Sequence, residues 1–558
     1  MERNHFRVKN SVSGGSLFRS GFIVVAAVFL CGNSLEAAVK LAPFLTSNMV
    51  LQRDVPVRLS GWADAGEAVV VNLGDSVVGK TVGAGEKTPW VVMLPAQKAG
   101  VLPDLVFQGK NRIRLTNLLA GDVWICSGQS NMEMPLEPRP SFGGVLNWKK
   151  EVSAAKHPQI RLLDLKTGGW KLCTPDNTKS FSAAGYFFGR ELHEHLNVPV
   201  GLVQAAVGGT MAQLWTPRTE LDGTPEFAAS TDDAKRIVEQ LLPLQIKHQQ
   251  LMTGWQKELK EAKALGGALP KCPESTYSIP DMDRMQWAQS TLGAGRLFSS
   301  RILPLTPMTI KGVIWYQGES NASYASAYAG LMKKLIRGWR SHWKQGDFPF
   351  LLMQLVNQEI PPNQRPWDFA ALRSAQQTVA GTVPNTGMAV GIDIGMAQNG
   401  HPPNKQDVGR RLALVALKKV YGKKIVAAGP QLGHVGFSDK MVAVHFDPGG
   451  CAQQLVLKKD GPSGFELAGE DARFIPASAV LKGNTINVSA TGVEQPVAIR
   501  YAWANNPPST LFNTAGLPAA PFLDIAKTER ERIKHEKRNS KLTNGRDISG
   551  RTGPADSG

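Results

Sequence analysis

Cysteine is scarce, at five in 558 residues, and no CxxC pair or Cys/His metal spacing occurs. That excludes a cysteine-built metal site and a disulfide framework as organising devices. Cys126, set in the apolar "VWICSG", reads as a buried thiol. Long hydrophobic runs are also missing. The apolar stretch "GFIVVAAVFLCG" near the start has about eleven core residues, short of the ~20 that cross a bilayer as a helix, and no later segment approaches that length. Dense Lys/Arg stripes interleaved with aromatics are absent despite a formal charge of +17. Residues 1–37 account for +2 and the stretch from Lys527 onward for +4, leaving +11 spread thinly over the middle. This argues against a nucleic-acid partner. "HEH" at His193–His195 lacks the HExxH spacing, and the Gly pair after a strand lacks a phosphate-loop lysine. Neither a metal nor a cofactor is implied.

What is present is ordinary globular composition, 42% apolar and 20% charged, in a chain too long for one core. Arg3, Arg7, Lys9 and Arg19 precede the short apolar run, and small residues come after it at "NSLEAAV". This predicts an export signal over residues 1–37, and an exported, periplasmic or secreted protein without stable membrane insertion. Residues 38–120 alternate short β-rich runs with turn signals and predict a β-sandwich domain. At Gly121 the character changes to apolar strands alternating with amphipathic helices, as in "GDVWICSG", "AAGYFFGRELHEHL" and "VPVGLVQAAVGG". An α/β domain with a parallel sheet covered on both faces is expected over 121–435. A charged helical insertion is expected around 227–264, a β-rich region over 436–526, and a disordered basic tail over 527–558.

In open α/β sheets, ligands bind beyond the carboxyl ends of the strands. The residues just past each apolar strand are therefore the candidates. After "VWIC" come Ser127, Gln129, Ser130 and Asn131; after "GLVQAAV" come Gly208, Gly209 and Thr210. "GVIWY" leads into Gln317, Gly318, Glu319, Ser320 and Asn321, "MAVGI" leads into Asp393, and His401 stands just before a helix. A serine in a Gly-containing turn is usually a turn residue, and "GGT" usually only permits close packing. Their joint occurrence at successive strand ends carries the weight. Acyl transfer needs a hydroxyl nucleophile, a base, an orienting group and N–H donors for an oxyanion.

The stretches "ICSGQSNMEMPL", "WYQGESNA" and "HPPNKQDVGRRLA" resemble three blocks of the SGNH-hydrolase superfamily, more narrowly its sialate O-acetylesterase family. The resemblance extends to "LAPFLTSNMVLQRDVPVRLSGWADAGE" and "YAWANNPPSTLFNTAGLPAAPF", covering about residues 40–525. It implies an SGNH-type, flavodoxin-like parallel sheet with accessory β-sandwich material, and a serine esterase acting on an O-acetylated sugar or glycan, sialate first. An acetylxylan or other glycan acetylesterase, or a non-catalytic carbohydrate-binding protein on a degenerate esterase scaffold, are the alternatives. It also implies roles: Ser130 as nucleophile and first oxyanion donor, Gly209 or Gly208 as second donor, and a side-chain amide from Asn321 or Gln317. His401 would be the base. Glu319 would be either an acid or a loop anchor. The superfamily's D-x-x-H acid is missing, because Gln398 stands at that position. Asp393, eight residues before His401, is the nearest preceding carboxylate and the expected orienting acid, with a backbone carbonyl as the alternative. "LFSSRI" and Ser374 also depart from the family, in places that concern substrate contacts.

Overall fold

The computed structural model describes residues 39–276, 278–360, 367–449 and 453–527. The expected export signal, Cys31, Cys451 and the polar tail beyond Lys527 lie outside them. No helix among the described residues is long and apolar enough to cross a membrane.

The frame is a sheet whose strands are β1 (Leu118–Gly128), β2 (His157–Asp164), β3 (Trp170–Cys173), β4 (Val200–Ala206), β5 (Gly312–Tyr316), β6 (Phe350–Met353) and β7 (Thr386–Ala389). They run in the order β3-β2-β4-β1-β5-β6-β7, all parallel except β3, which pairs antiparallel with β2 at the edge. Apolar strands buried on both faces suit this arrangement. Along β1, Val123 and Ile125 face one core and Trp124 and Cys126 the other, as a period of two requires. The strand order reverses direction between β1 and β5. Loops leaving these neighbours open a crevice at the carboxyl edge.

Among the helices of the described residues, those that position the site are α1 (Ser130–Glu133), α2 (Ala183–Leu196), α3 (Pro225–Leu265), α4 (Ile279–Leu292), α5 (Ala325–Trp343), α6 (Phe369–Thr382) and α7 (Lys405–Lys419). α2 and α7 cover one face, where Phe187, Leu192, Leu412 and Val415 share a core with Trp124 and Ile314. Gly409 makes their close approach possible, since a Cβ there would lie 2.5 Å from Cβ of Phe187. α5 and α6 cover the opposite face through Leu335, Trp339 and Leu372. The long α3 and the shorter α4 form a hairpin standing off the sheet. Only Ala234 and Leu241 are buried along α3.

Residues 39–115 build two antiparallel sheets, Lys40–Leu41 with Val57–Trp62 and Trp90–Leu94, and a four-stranded one around Ala68–Leu73 and Leu105–Gln108. Trp90 and Phe107 meet between them at 5.8 Å. β1 runs unbroken through Gly121, with Val50–Gln52 and Gly100–Leu102 paired to its first residues and β4 and β5 to its last. The C-terminal strands form further antiparallel sheets around Val442, Val444, Phe465, Ile486 and Tyr501. Arg373 of α6, fully buried, fastens them to the α/β part by donating to the carbonyls of Leu355, Val356, Ala504 and Asn505 at 2.7–2.9 Å.

Candidate active site

β1 delivers Ser130 by a tight exit. Gly128 has φ +138, and a Cβ there would stand 2.1 Å from the Tyr316 carbonyl oxygen of β5, so only glycine fits. The Gln129 N–H donates to that same carbonyl at 3.0 Å. Its buried side-chain oxygen accepts from the N–H groups of Gly318 and Ser320 at 3.4 and 3.3 Å. The chain then turns into α1, leaving Ser130 half-exposed while Gln129, Asn131 and Met132 are buried. At the first helical position the Ser130 N–H has no intrahelical acceptor. Ser127 instead donates its hydroxyl to the Ala205 carbonyl at 2.7 Å and is fully buried, so it belongs to the sheet.

Asn131 ties three of the sequence blocks together. Its Nδ2 donates to Oε1 of Glu319 at 2.6 Å and to the Gly400 carbonyl at 2.9 Å. Its Oδ1 accepts from Nζ of Lys405 at 2.8 Å, and the same ammonium donates to the Pro402 carbonyl at 2.7 Å. Lys405 is fully buried and Glu319 nearly so. Burial pushes the Lys405 pKa down to about 7, against the pull of Glu319, and raises that of Glu319. Glu319 is thus a buried anchor of the loop. The segment carrying His401 is fastened at Gly400 and Pro402 to the residue next to Ser130.

Among the expected oxyanion donors, Gly208 lies beside Ser130: a Cβ on it would be 3.4 Å from Cβ of Ser130. Its N–H, however, donates to Oε2 of Glu133. Gly209, in the left-handed region at φ +66, has an N–H without an intramolecular acceptor among the described residues, and its carbonyl accepts from Nε2 of Gln286 at 2.7 Å. The Asn321 oxygen accepts from the Ala212 N–H at 2.9 Å and from Nε2 of Gln317 at 2.7 Å. One amide hydrogen of Asn321 goes to Oε1 of Gln213 at 3.1 Å, and the other is left over. Gln317 differs from expectation. Both its amide hydrogens are committed, to Asn321 and to the Thr210 carbonyl at 3.1 Å, and its oxygen accepts from the Tyr328 hydroxyl at 3.0 Å. With no hydrogen left, Gln317 holds Asn321 rather than an oxyanion.

His401 is half-buried, its ring edge-on to Phe142 with centroids 4.9 Å apart, and its backbone N–H donates to Oδ1 of Asn399 at 2.8 Å. Burial and the charge of Lys405 lower its pKa, while the carboxylate of Glu133 acts in the opposite sense. No hydrogen bond joins Asp393 to His401 among the described residues; both Asp393 oxygens accept from the guanidinium of Arg411 instead, at 2.5 and 2.8 Å. The carboxylate whose charge favours protonated His401 is that of Glu133, which also pairs with Lys166. The sequence offered Asn131 as a residue past the strand without a role, and nothing in its pattern singled out Glu133 or Lys405, although all three lie inside the family-like blocks.

Residues 120–247 and 284–418 match a family model described as "Carbohydrate esterase, sialic acid-specific acetylesterase". The chain is 28% identical to the sialate O-acetylesterase of Rattus norvegicus, over 87% of this chain and 94% of the relative. It is 26% identical to that of Homo sapiens, over 90% and 95%. Among solved structures, a carbohydrate acetylesterase from Xanthomonas citri superposes with a TM-score of 0.69 at 30% identity, covering 87% of this chain and 99% of that one.

Proposed function

The chain belongs to the carbohydrate esterase family of sialic acid-specific acetylesterases and removes O-acetyl groups from carbohydrates, and from that premise we propose that Ser130 attacks the acetyl carbonyl with His401 as its base. His401 takes the Ser130 proton as the Oγ–C bond forms. The oxyanion that results is met by the N–H groups of Ser130 and Gly209 and by the remaining amide hydrogen of Asn321. Collapse breaks the bond to the sugar oxygen, which leaves with the proton from His401. Water then repeats the cycle on the acetyl-enzyme and releases acetate.

The observation that carries this reading is the double donation of Asn131 to Glu319 and to the Gly400 carbonyl. It fixes the histidine segment to the turn that presents Ser130. No carboxylate hydrogen-bonds His401 among the described residues. Glu133 favours the imidazolium that forms during reaction by charge alone. That suffices for an ester, whose alkoxide leaves more readily than an amine. Sialic acid bearing an O-acetyl group, the substrate named for the mammalian relatives, is the substrate proposed here. An exported location is inferred from the N-terminal pattern of residues 1–37.

The test is acetate release from 9-O-acetyl-N-acetylneuraminic acid and from acetylated xylo-oligosaccharide by the wild type and by Ser130→Ala. Loss in the variant of at least ~10³-fold with a preference for the sialate supports the proposal. Equal rates in both proteins refute the mechanism, and a preference for xylan fragments refutes the substrate.

A further inference from the structure

The α3–α4 hairpin stands outside the sheet, yet it touches the site at two points. Gln286 of α4 donates its Nε2 to the Gly209 carbonyl at 2.7 Å, so the hairpin holds the turn that carries the second oxyanion donor. The next residue, Trp287, stacks on Tyr324 with ring centroids 5.0 Å apart and planes 22° from parallel. Tyr324 ends the turn Glu319–Tyr324, which begins with the anchor Glu319 and contains Asn321. Both rings are half-buried rather than enclosed. Two loops of the oxyanion site are thus touched by consecutive residues of one helix, and the second contact is a stacked pair of half-buried aromatic rings, each with one face turned away from the other.

Gln289 donates to Gln245 at 3.1 Å and Arg284 to Gln240 at 3.3 Å, joining α4 to α3, and Met285 and Ala288 are buried beneath.

Resting on the esterase mechanism proposed for Ser130, we infer that Trp287 and Tyr324 form a sugar subsite beside the oxyanion turn, taking the apolar C–H face of the pyranose ring whose acetyl group is removed. The physical basis is that a pyranose presents axial C–H groups on one face and hydroxyls at its rim. A flat aromatic surface buries the former and leaves the latter in water. The acetyl group needs only the oxyanion donors and Ser130, so the subsite acts on the sugar and not on the ester.

The experiment compares Trp287→Ala, Trp287→Phe and wild type on two substrates. One is p-nitrophenyl acetate, which has no sugar. The other is whichever of 9-O-acetyl-N-acetylneuraminic acid and acetylated xylo-oligosaccharide the wild type hydrolyses with the lower KM. Trp287→Ala is expected to raise KM for the sugar by about 10-fold (~1.4 kcal/mol) with kcat nearly kept. Its p-nitrophenyl acetate kinetics should stay within about 2-fold, because Gln286 still holds the Gly209 turn and Ala212, Gln213 and Gln317 still hold Asn321, and Trp287→Phe should recover most of the sugar KM. An unchanged sugar KM overturns the subsite, and so does a parallel loss on both substrates, which would mark the pair as structural. Failure of the underlying mechanism looks different: wild type and Ser130→Ala would then turn over p-nitrophenyl acetate equally.

Discussion

The side-chain amide of Asn131 donates to the carbonyl oxygen of Gly400 across 2.9 Å. One partner adjoins Ser130 and the other adjoins His401, although they lie 269 residues apart. The bond fixes the segment of His401 to the turn of Ser130 by main chain, without using either ring nitrogen of the histidine.

Breaking that link should slow the reaction more than it weakens binding. For Asn131→Ala, kcat on p-nitrophenyl acetate is expected to fall about 10²-fold with KM changed less than 3-fold, because misplacement of reacting groups by an ångström costs about that much. The same change strips partners from Lys405 and Glu319, both buried, so a loss of about 3 kcal/mol in urea unfolding should accompany it. A kinetically silent Asn131→Ala would show that the segment is positioned by other contacts.

The pH profile reads the charges around His401. The base acts when neutral, and burial and Lys405 lower its pKa, so the acid limb of kcat/KM should have its midpoint below the ordinary histidine value of about 6.5. Lys405→Met removes a positive charge and should move that limb to higher pH. Glu133→Gln removes a negative one and should move it lower. Limbs that stay put in both variants would mean that another group sets the profile.

Asp393→Asn separates an orienting acid from a structural one. Because Arg411 takes both carboxylate oxygens, the variant should keep kcat within about 3-fold and lose roughly 2 kcal/mol of stability, the scale of a charged hydrogen bond. A kcat loss near the ~10⁴ known for a missing triad acid would restore Asp393 to the mechanism.

The two amides of the third block should also part company. Asn321→Ala is expected to lower kcat by about 10²–10³ with little change in KM, as for other oxyanion donors. Gln317→Ala, acting through Asn321, should cost less in kcat and more in stability. Comparing kcat and urea midpoints for both variants checks this, and the reverse order would contradict the assignment.

Much of this was legible in the sequence. The strand "VWIC" and the helix "AAGYFFGRELHEHL" are patterns of fixed period, and the structure puts a strand over Leu118–Gly128 and a helix over Ala183–Leu196. The family-like blocks contain Ser130, Asn321 and His401, which with the glycine turn are the residues of the proposed mechanism. What pattern did not give is which polar group meets which. Asn131 joins residues 188, 269 and 274 positions away, and no local period encodes such a bond. Asp393 is the nearest carboxylate before His401 in the chain, but the buried guanidinium of Arg411 pairs with both its oxygens. Gln317 and Asn321 read alike as neighbouring amides, and only the count of their hydrogen bonds tells holder from held. The helical insertion was anticipated near 227–264, whereas its contacts with the site come from the second helix, at Gln286 and Trp287.

The central claim, that Ser130 is a nucleophile made reactive by His401, is tested most directly with an organofluorophosphonate, which modifies activated serines irreversibly. The wild type should be labelled at Ser130 alone and lose its esterase activity in step with labelling. His401→Ala should be labelled at least ~10²-fold more slowly, and Ser130→Ala not at all. Labelling at another serine, or equal rates in wild type and His401→Ala, would contradict the account.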